Sequence, residues 1–186
     1  MWQHNGITIR AGKGWTGTDG VKHPSNWMRW TADEKAAAGL VWVADPAPYD
    51  NRFYWGRDSD GDLIPRSLDD VNETNEDGDP LLDRDGNQIV SDGLKTIHKK
   101  ATKRTAGSLL APTDWYVVRK AEDSTAAIPA DVTTYRAAVR TKSGQIEAAI
   151  DGAADLAAFM ALFDAPVDDD GLPTGNAPIH DWPDAI

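Results

Sequence analysis

The side chains best suited to chemistry are acidic. Asp58-Ser59-Asp60-Gly61-Asp62 carries carboxylates at alternate positions, and oxygen ligands at that spacing can wrap a hard cation such as calcium. A calcium loop of the EF-hand kind places its glycine sixth and ends on a bidentate glutamate at position twelve. Counted from Asp58, Gly61 falls early. Counted from Glu73, the residues Asn75, Asp77 and Gly78 are in register, but the closing position is Arg84. Asp-Gly pairs form turns without any ion, so turns are the expected use of these residues and no metal ligand is assigned. The four histidines, His4, His23, His98 and His180, show no zinc-ligand spacing, and there is no cysteine. A Gly-x-Ser-x-Gly nucleophile elbow, a Walker loop and a dinucleotide glycine fingerprint are all missing. Acids are too abundant here to single out a hydrolytic pair, which needs two carboxylates at a set separation in a cleft. No catalytic residue and no cofactor is therefore assigned.

Aromatic side chains are the second group with binding chemistry. Six of the eight tryptophans lie in the first 56 residues. Tryptophan faces stack on sugars and on partner side chains and dominate interface hot spots. Trp2, Trp15, Trp30 and Trp55 form a possible aromatic platform for a glycan or receptor. Trp27, Trp42 and Phe53 are expected in the core, because a thin module needs large side chains to fill it.

The charge balance narrows the partners. Nineteen Lys and Arg stand against 30 Asp and Glu, a net charge of −11, which argues against sequence-independent nucleic-acid binding. The basic stretch Lys95 to Arg104 is expected to be a solvated helix face. The longest apolar run, Ala36 to Ala44, is far short of the ~20 residues that cross a bilayer. The N-terminal residues lack the charged and apolar regions of a secretory signal. A chain soluble where it is made is the expectation, with no membrane partner.

The elements that must position these residues divide into four stretches, together an α+β fold. Residues 1–56 read as a small, aromatic-rich β module. Asn5-Gly6 and Asp19-Gly20 are hairpin pairs, and Ile7 to Arg10 alternates like a strand. Thr31 and Glu34 form a capping box before an alanine-rich turn that stops at Gly39. Leu40 to Val43 and Arg52 to Trp55 are short strands. Residues 57–91 are an acidic loop with a small hairpin across Asp85-Gly86, and the irregular recurrence of Asp-Gly pairs is not read as a repeat. Residues 92–164 are helical. Leu94, Ile97, Ala101, Thr105 and Leu109 form one apolar seam. Val132, Tyr135 and Val139 form a second, after Pro129 in a first turn, and Ile146, Ala149, Ile150 and Ala153 a third. Leu156, Phe159, Met160 and Phe163 have the clearest helical spacing. Residues 165–186 read as an extended tail pinned by Trp182.

Two stretches carry a family resemblance. Leu109-Leu110 followed by Thr113-Asp114-Trp115, and then Tyr135-Arg136-Ala137-Ala138-Val139-Arg140, resemble the tail-assembly chaperone module of tailed bacteriophages. The likeness covers about residues 92–142. Pro24 to Trp27, Glu34 to Leu40 and Asp50 to Trp55 look more loosely like the start of phage tail proteins that carry this module. The connection from Tyr116 to Ala127 is longer and more charged than in the family, and residues 143–186 have no counterpart in it. The resemblance implies a non-enzymatic protein whose partner is a tail or tail-fibre protein. It would act in the host cytoplasm during assembly, or remain in the virion tail as a fibre, baseplate or decoration component.

Side-chain chemistry adds a picture of the corner itself. Pro112 ends one helix, and Thr113 or Asp114 can cap the next through a side-chain oxygen. Trp115 is expected to fold back on Leu109 and Leu110 and to lock an antiparallel helix pair against Tyr135. Arg136 and Arg140, four residues apart, are expected to point outward with Arg119 or Lys120 as a basic face that could bind an acidic partner or equally meet the chain's own Asp-rich loop.

Overall fold

The computed structural model describes all 186 residues, and it is an α+β fold with small antiparallel sheets and five α-helices. Its internal contacts divide the chain into Met1–Tyr49 and Asp50–Ile186. The division precedes residue 56 because Tyr54 and its neighbours pair with a strand later in the chain.

In the first unit, strands β1 (Trp2–His4) and β2 (Ile7–Thr8) form a hairpin through Asn5 and Gly6, whose φ values are 48° and 78°. Positive φ at both positions matches the right-handed twist of the strands. Strands β3 (Trp15–Thr16) and β4 (Lys22–His23) form a second hairpin. Helix α1 (Ala32–Ala37) starts at the capping box: the Glu34 N–H donates to Thr31 Oγ1 at 3.2 Å, and the Thr31 N–H donates to Glu34 Oε2 at 2.7 Å. Gly39, at φ 70°, turns the chain into β5 (Leu40–Trp42), which completes the sheet order β2-β1-β5. Trp27 is fully buried, and its indole N–H donates to the Lys13 carbonyl at 3.0 Å. Trp42 is not in the core as expected. Leu40 at the start of β5 is buried, but the strand runs past the core, leaving Trp42 58% exposed with its ring edge-on to Trp2 at 5.4 Å.

The second unit opens with β6 (Tyr54–Arg57) paired to β7 (Leu63–Pro65), then β8 (Val71–Asn72) paired to β9 (Val90–Ser91). The stretch 57–91 is largely a set of hairpins rather than a loop. One five-residue turn, Asp or Asn first, Asp third and Gly fourth, begins at Asp58, Asn75, Asp83 and Asp168. In each, the first residue's Oδ1 accepts the N–H of the third and fifth residues at 2.8–3.0 Å. The first N–H donates to the fifth carbonyl, and the glycine N–H returns to the first carbonyl. The glycines have φ of 79° to 90°, the left-handed position that closes a three-residue hairpin loop with a bulge. The turn is thus a local repeat. The expectation of no repeat fails because the intervals between copies are irregular while the geometry inside each is constant. The expected hairpin across Asp85-Gly86 is one of the four, bridged by Leu82 and Gln88.

Helix α2 (Leu94–Leu110) begins at Gly93. A Cβ there would lie 2.3 Å from the Asp69 carbonyl carbon, so the β7–β8 connection can pack this closely only on glycine. Asp70 accepts the Gly93 N–H at 2.8 Å, and this bond is the first cause holding its carboxyl below the ordinary range. The chain continues through helices α3 (Asp114–Glu122), α4 (Ala130–Gly152) and α5 (Leu156–Ala161). The two α4 seams join into one 23-residue helix that buries Val132, Tyr135, Val139, Ile146 and Ile150 on one stripe. The α2 seam lies one residue off the expected one: Leu94, Thr102 and Ala106 are buried, with His98 half-buried between them.

Helices α2 and α4 run antiparallel, as Lys99–Asp151, Lys103–Glu147 and Tyr135–Leu109 contacts show. The basic stretch is solvated only in part: Lys100, Lys103 and Arg104 are exposed and Lys95 and Lys99 are partly buried, and the lysines meet the chain's own acids, Lys95 with Asp69, Lys99 with Asp151, Lys100 with Asp92 and Lys103 with Glu147. One core cluster gathers Phe53, Leu94, Ile146, Ile150, Phe159 and Ile179; another gathers Ala106, Tyr135 and Val139. No helix is long and apolar enough to cross a membrane.

Candidate partner-binding site

Helix α2 ends at Leu110, and Ala111–Thr113 form a 3₁₀ turn with Pro112 near its start, where the missing N–H costs no helical bond. Ala111 and Asp114 both keep right-handed helical angles, so α3 follows α2 without an extended break. Neither Thr113 nor Asp114 caps α3 through its side chain, contrary to expectation. The Thr113 hydroxyl instead donates back to the Leu110 carbonyl at 2.8 Å and accepts a bond from Arg136.

Arg136 overturns the second expectation. It is 7% exposed and does not point outward. Its Nη1 donates to the Leu110 carbonyl at 2.9 Å and to Thr113 Oγ1 at 2.6 Å, and its Nη2 meets Asp114 Oδ1 at 2.8 Å. One guanidinium on α4 therefore satisfies the end of α2, the turn and the start of α3. A buried arginine is tolerable only with such a set of acceptors. Spacing held the clue: Val132, Arg136, Val139, Ser143, Ile146 and Ile150 advance by three or four, so Arg136 belongs to the inward stripe.

Trp115 overturns the third. It is half exposed and lies outside the cluster of Leu109, Leu110 and Tyr135. The residue packed there is Trp182, brought by the C-terminal segment. That segment is tied down by buried Ile179, whose N–H donates to the Leu162 carbonyl at 3.1 Å, and by the Lys142–Asp181 ion pair. The Tyr135 hydroxyl still reaches the Leu109 carbonyl at 3.3 Å, so Tyr135 locks the helix pair while Trp115 does not.

With Trp115 turned outward, α3 buries no residue. The indole lies against the Tyr116 ring at 3.7 Å between centroids, and the Arg119 guanidinium sits 5.3 Å from the indole centroid. Trp115, Val118 and Arg119 share one side of the helix at i, i+3, i+4, and Val118 is 55% exposed. Beside them Val117, Ile128 and Thr133 border a groove of about 160 Å³ with Arg136 beneath and exposed Arg140 at its lip. Arg119 and Arg140 make no ion pair, whereas the lysines of α2 are paired. Of the three arginines expected to meet a partner, Arg119 and Arg140 are exposed, whereas Arg136 is buried and holds the scaffold.

The tryptophans of the proposed aromatic platform fall in both units. Trp15 stacks on His23 at 4.1 Å, and His23 meets Trp30 edge-on at 5.6 Å. Trp2 pairs with Trp42. Trp55 belongs to the second unit, 67% exposed, with the Arg66 guanidinium 4.4 Å from its ring centroid. The turn aspartates use their carboxylates on their own backbone, and no group of three or more His, Asp or Glu side chains is placed to hold a metal ion.

Compared with known protein families, curated proteins and solved structures, the chain finds no match in any of the three.

Proposed function

We propose that this chain is a non-enzymatic bacteriophage tail protein that works by protein–protein contact, helping a tail or tail-fibre protein to fold, assemble or attach. The two motifs at Leu109–Trp115 and Tyr135–Arg140 motivate the reading. The observation that supports it most is the outward face of α3. Exposed Trp115 and Val118 lie on one side of the helix with Arg119, which makes no ion pair, and Arg136 fastens the start of that helix from below. Patches of this composition on a rigid support are what interfaces use for their central anchors.

Co-expression with the tail-fibre protein of the same phage tests the reading. The fibre protein should become more soluble with the intact chain and less so with the double variant Trp115→Ala, Val118→Ser. Fibre solubility and virion assembly that are indifferent to deletion of the chain would reject it. Mass spectrometry of purified virions separates the two forms of the proposal. A chaperone is lost from the mature particle, and a structural component stays at fixed copy number.

A further inference from the structure

A cleft of about 430 Å³ in the second unit lies apart from the α3 face. Helix α2 supplies one wall with His98, Ala101 and Thr105, Phe163 and Ile179 supply the floor, and Arg52, His180 and Trp182 close the sides. No carboxylate lines it, on a chain whose net charge is −11. The His98 ring is half-buried and meets Phe163 edge-on at 5.0 Å and Phe159 at 5.5 Å. His180 meets the Phe163 ring edge-on at 6.3 Å.

The polar groups around this aromatic floor are uncommitted. The side chains of His98, His180, Thr105 and Trp182 make no hydrogen bond within the protein. Asp50 takes Nε and Nη2 of Arg52 at 2.7–3.1 Å, which fixes the guanidinium against Phe163 and leaves Nη1 without a protein partner. Burial is the first cause that lowers the His98 pKa, with the Arg52, Arg66 and His180 charges adding to it. Perturbed titratable groups and a few convergent donors in an apolar cleft are the usual composition of a ligand site.

We infer that this cleft binds an aromatic carboxylate, its ring laid against Phe163 and Trp182 and its carboxyl group taking hydrogen bonds from the donors of Thr105, His98, His180 and Arg52. Aromatic rings prefer offset or edge contacts with other rings, which this floor offers. An anion strengthens each hydrogen bond that the donors make. The same chemistry occurs in a free aromatic acid and in the C-terminal aromatic residue of another chain. The inference does not rest on the assembly reading.

The test is a titration of the full chain followed by ¹H–¹⁵N NMR, with phenylacetate, the dipeptide Gly-Phe, the amides of both, and acetate. Phenylacetate or Gly-Phe is expected to shift signals of Thr105, His180 and the Trp182 indole and to saturate at millimolar concentration. The amides should bind about tenfold more weakly, and acetate should not saturate. Thr105→Val and His180→Ala keep the core intact and should each weaken binding several-fold. Binding of phenylacetate alone assigns the site to a free acid, and binding of Gly-Phe assigns it to a chain terminus. Amides that bind as tightly as acids, shifts that map elsewhere, affinity unchanged in both variants, or no saturation by any ligand would overturn the inference.

Discussion

Helix α3 and the C-terminal segment that ends near Trp182 use their tryptophans in opposite ways. Trp115 follows a proline, an apparent cap and a helix end, yet its ring faces solvent beside Tyr116 and Arg119. Trp182 sits in a proline-rich stretch with no helical period, yet it packs on both core clusters. The difference shows that a side chain's neighbours in sequence do not decide what it buries. Space over Leu109 and Tyr135 goes to whichever ring the tertiary path delivers, and here the tail delivers one. The ring left outside becomes available for another molecule.

Breaking the scaffold beneath α3 should have the largest effect. Arg136→Met removes the donors for Leu110, Thr113 and Asp114 and should cost about 3 kcal/mol in urea unfolding. Arg136→Lys should recover only part, since an ammonium lacks the planar fork that reaches several acceptors. Trp182→Ala should come next, at about 2 kcal/mol, because the ring is only half-buried. Gly86→Ala, at φ 85°, should cost roughly 1–2 kcal/mol and leave both aromatic regions untouched. Trp115→Ala should change stability by no more than about 0.5 kcal/mol while abolishing capture of the partner. A drop in melting temperature for Trp115→Ala comparable to that for Trp182→Ala would erase the contrast between the two regions.

The smallest effect expected is a pH dependence from His98. Its folded pKa is lowered, first by burial and then by the Arg52, Arg66 and His180 charges. The unfolded chain therefore binds the proton more readily. The stability from the neutral ring is fully present above its ordinary pKa of ~6.5 and is lost as pH falls through that value toward the folded one. Melting temperatures between pH 7.5 and pH 5.5 should fall in the native chain and flatten in His98→Leu. Asp50, Asp70, Asp83 and Asp123 also have lowered pKa values. Their contributions are present above the ordinary carboxylate range near ~4 and are lost only below it, so the two windows are separate.

Features that span one or two turns of chain are legible in the residues themselves. The Thr31–Glu34 box, the Asn5-Gly6 hairpin and the α4 stripe all follow from local bonding rules and periodicity. The shared geometry of the four Asp-Gly hairpins is also present in the residues, since the first side chain and the glycine define the turn by themselves. What the sequence alone does not decide is competition between distant groups. Arg136 and Arg140 are equally arginine at helical spacing, but only one lies where α2 leaves carbonyl and hydroxyl acceptors facing it. Trp115 and Trp182 both seek burial, and the route of the C-terminal segment past Ile179 chooses between them. Local propensity is set by bonds within a few residues. Burial is shared among every side chain that can reach the same space, and only the tertiary fold brings those candidates together.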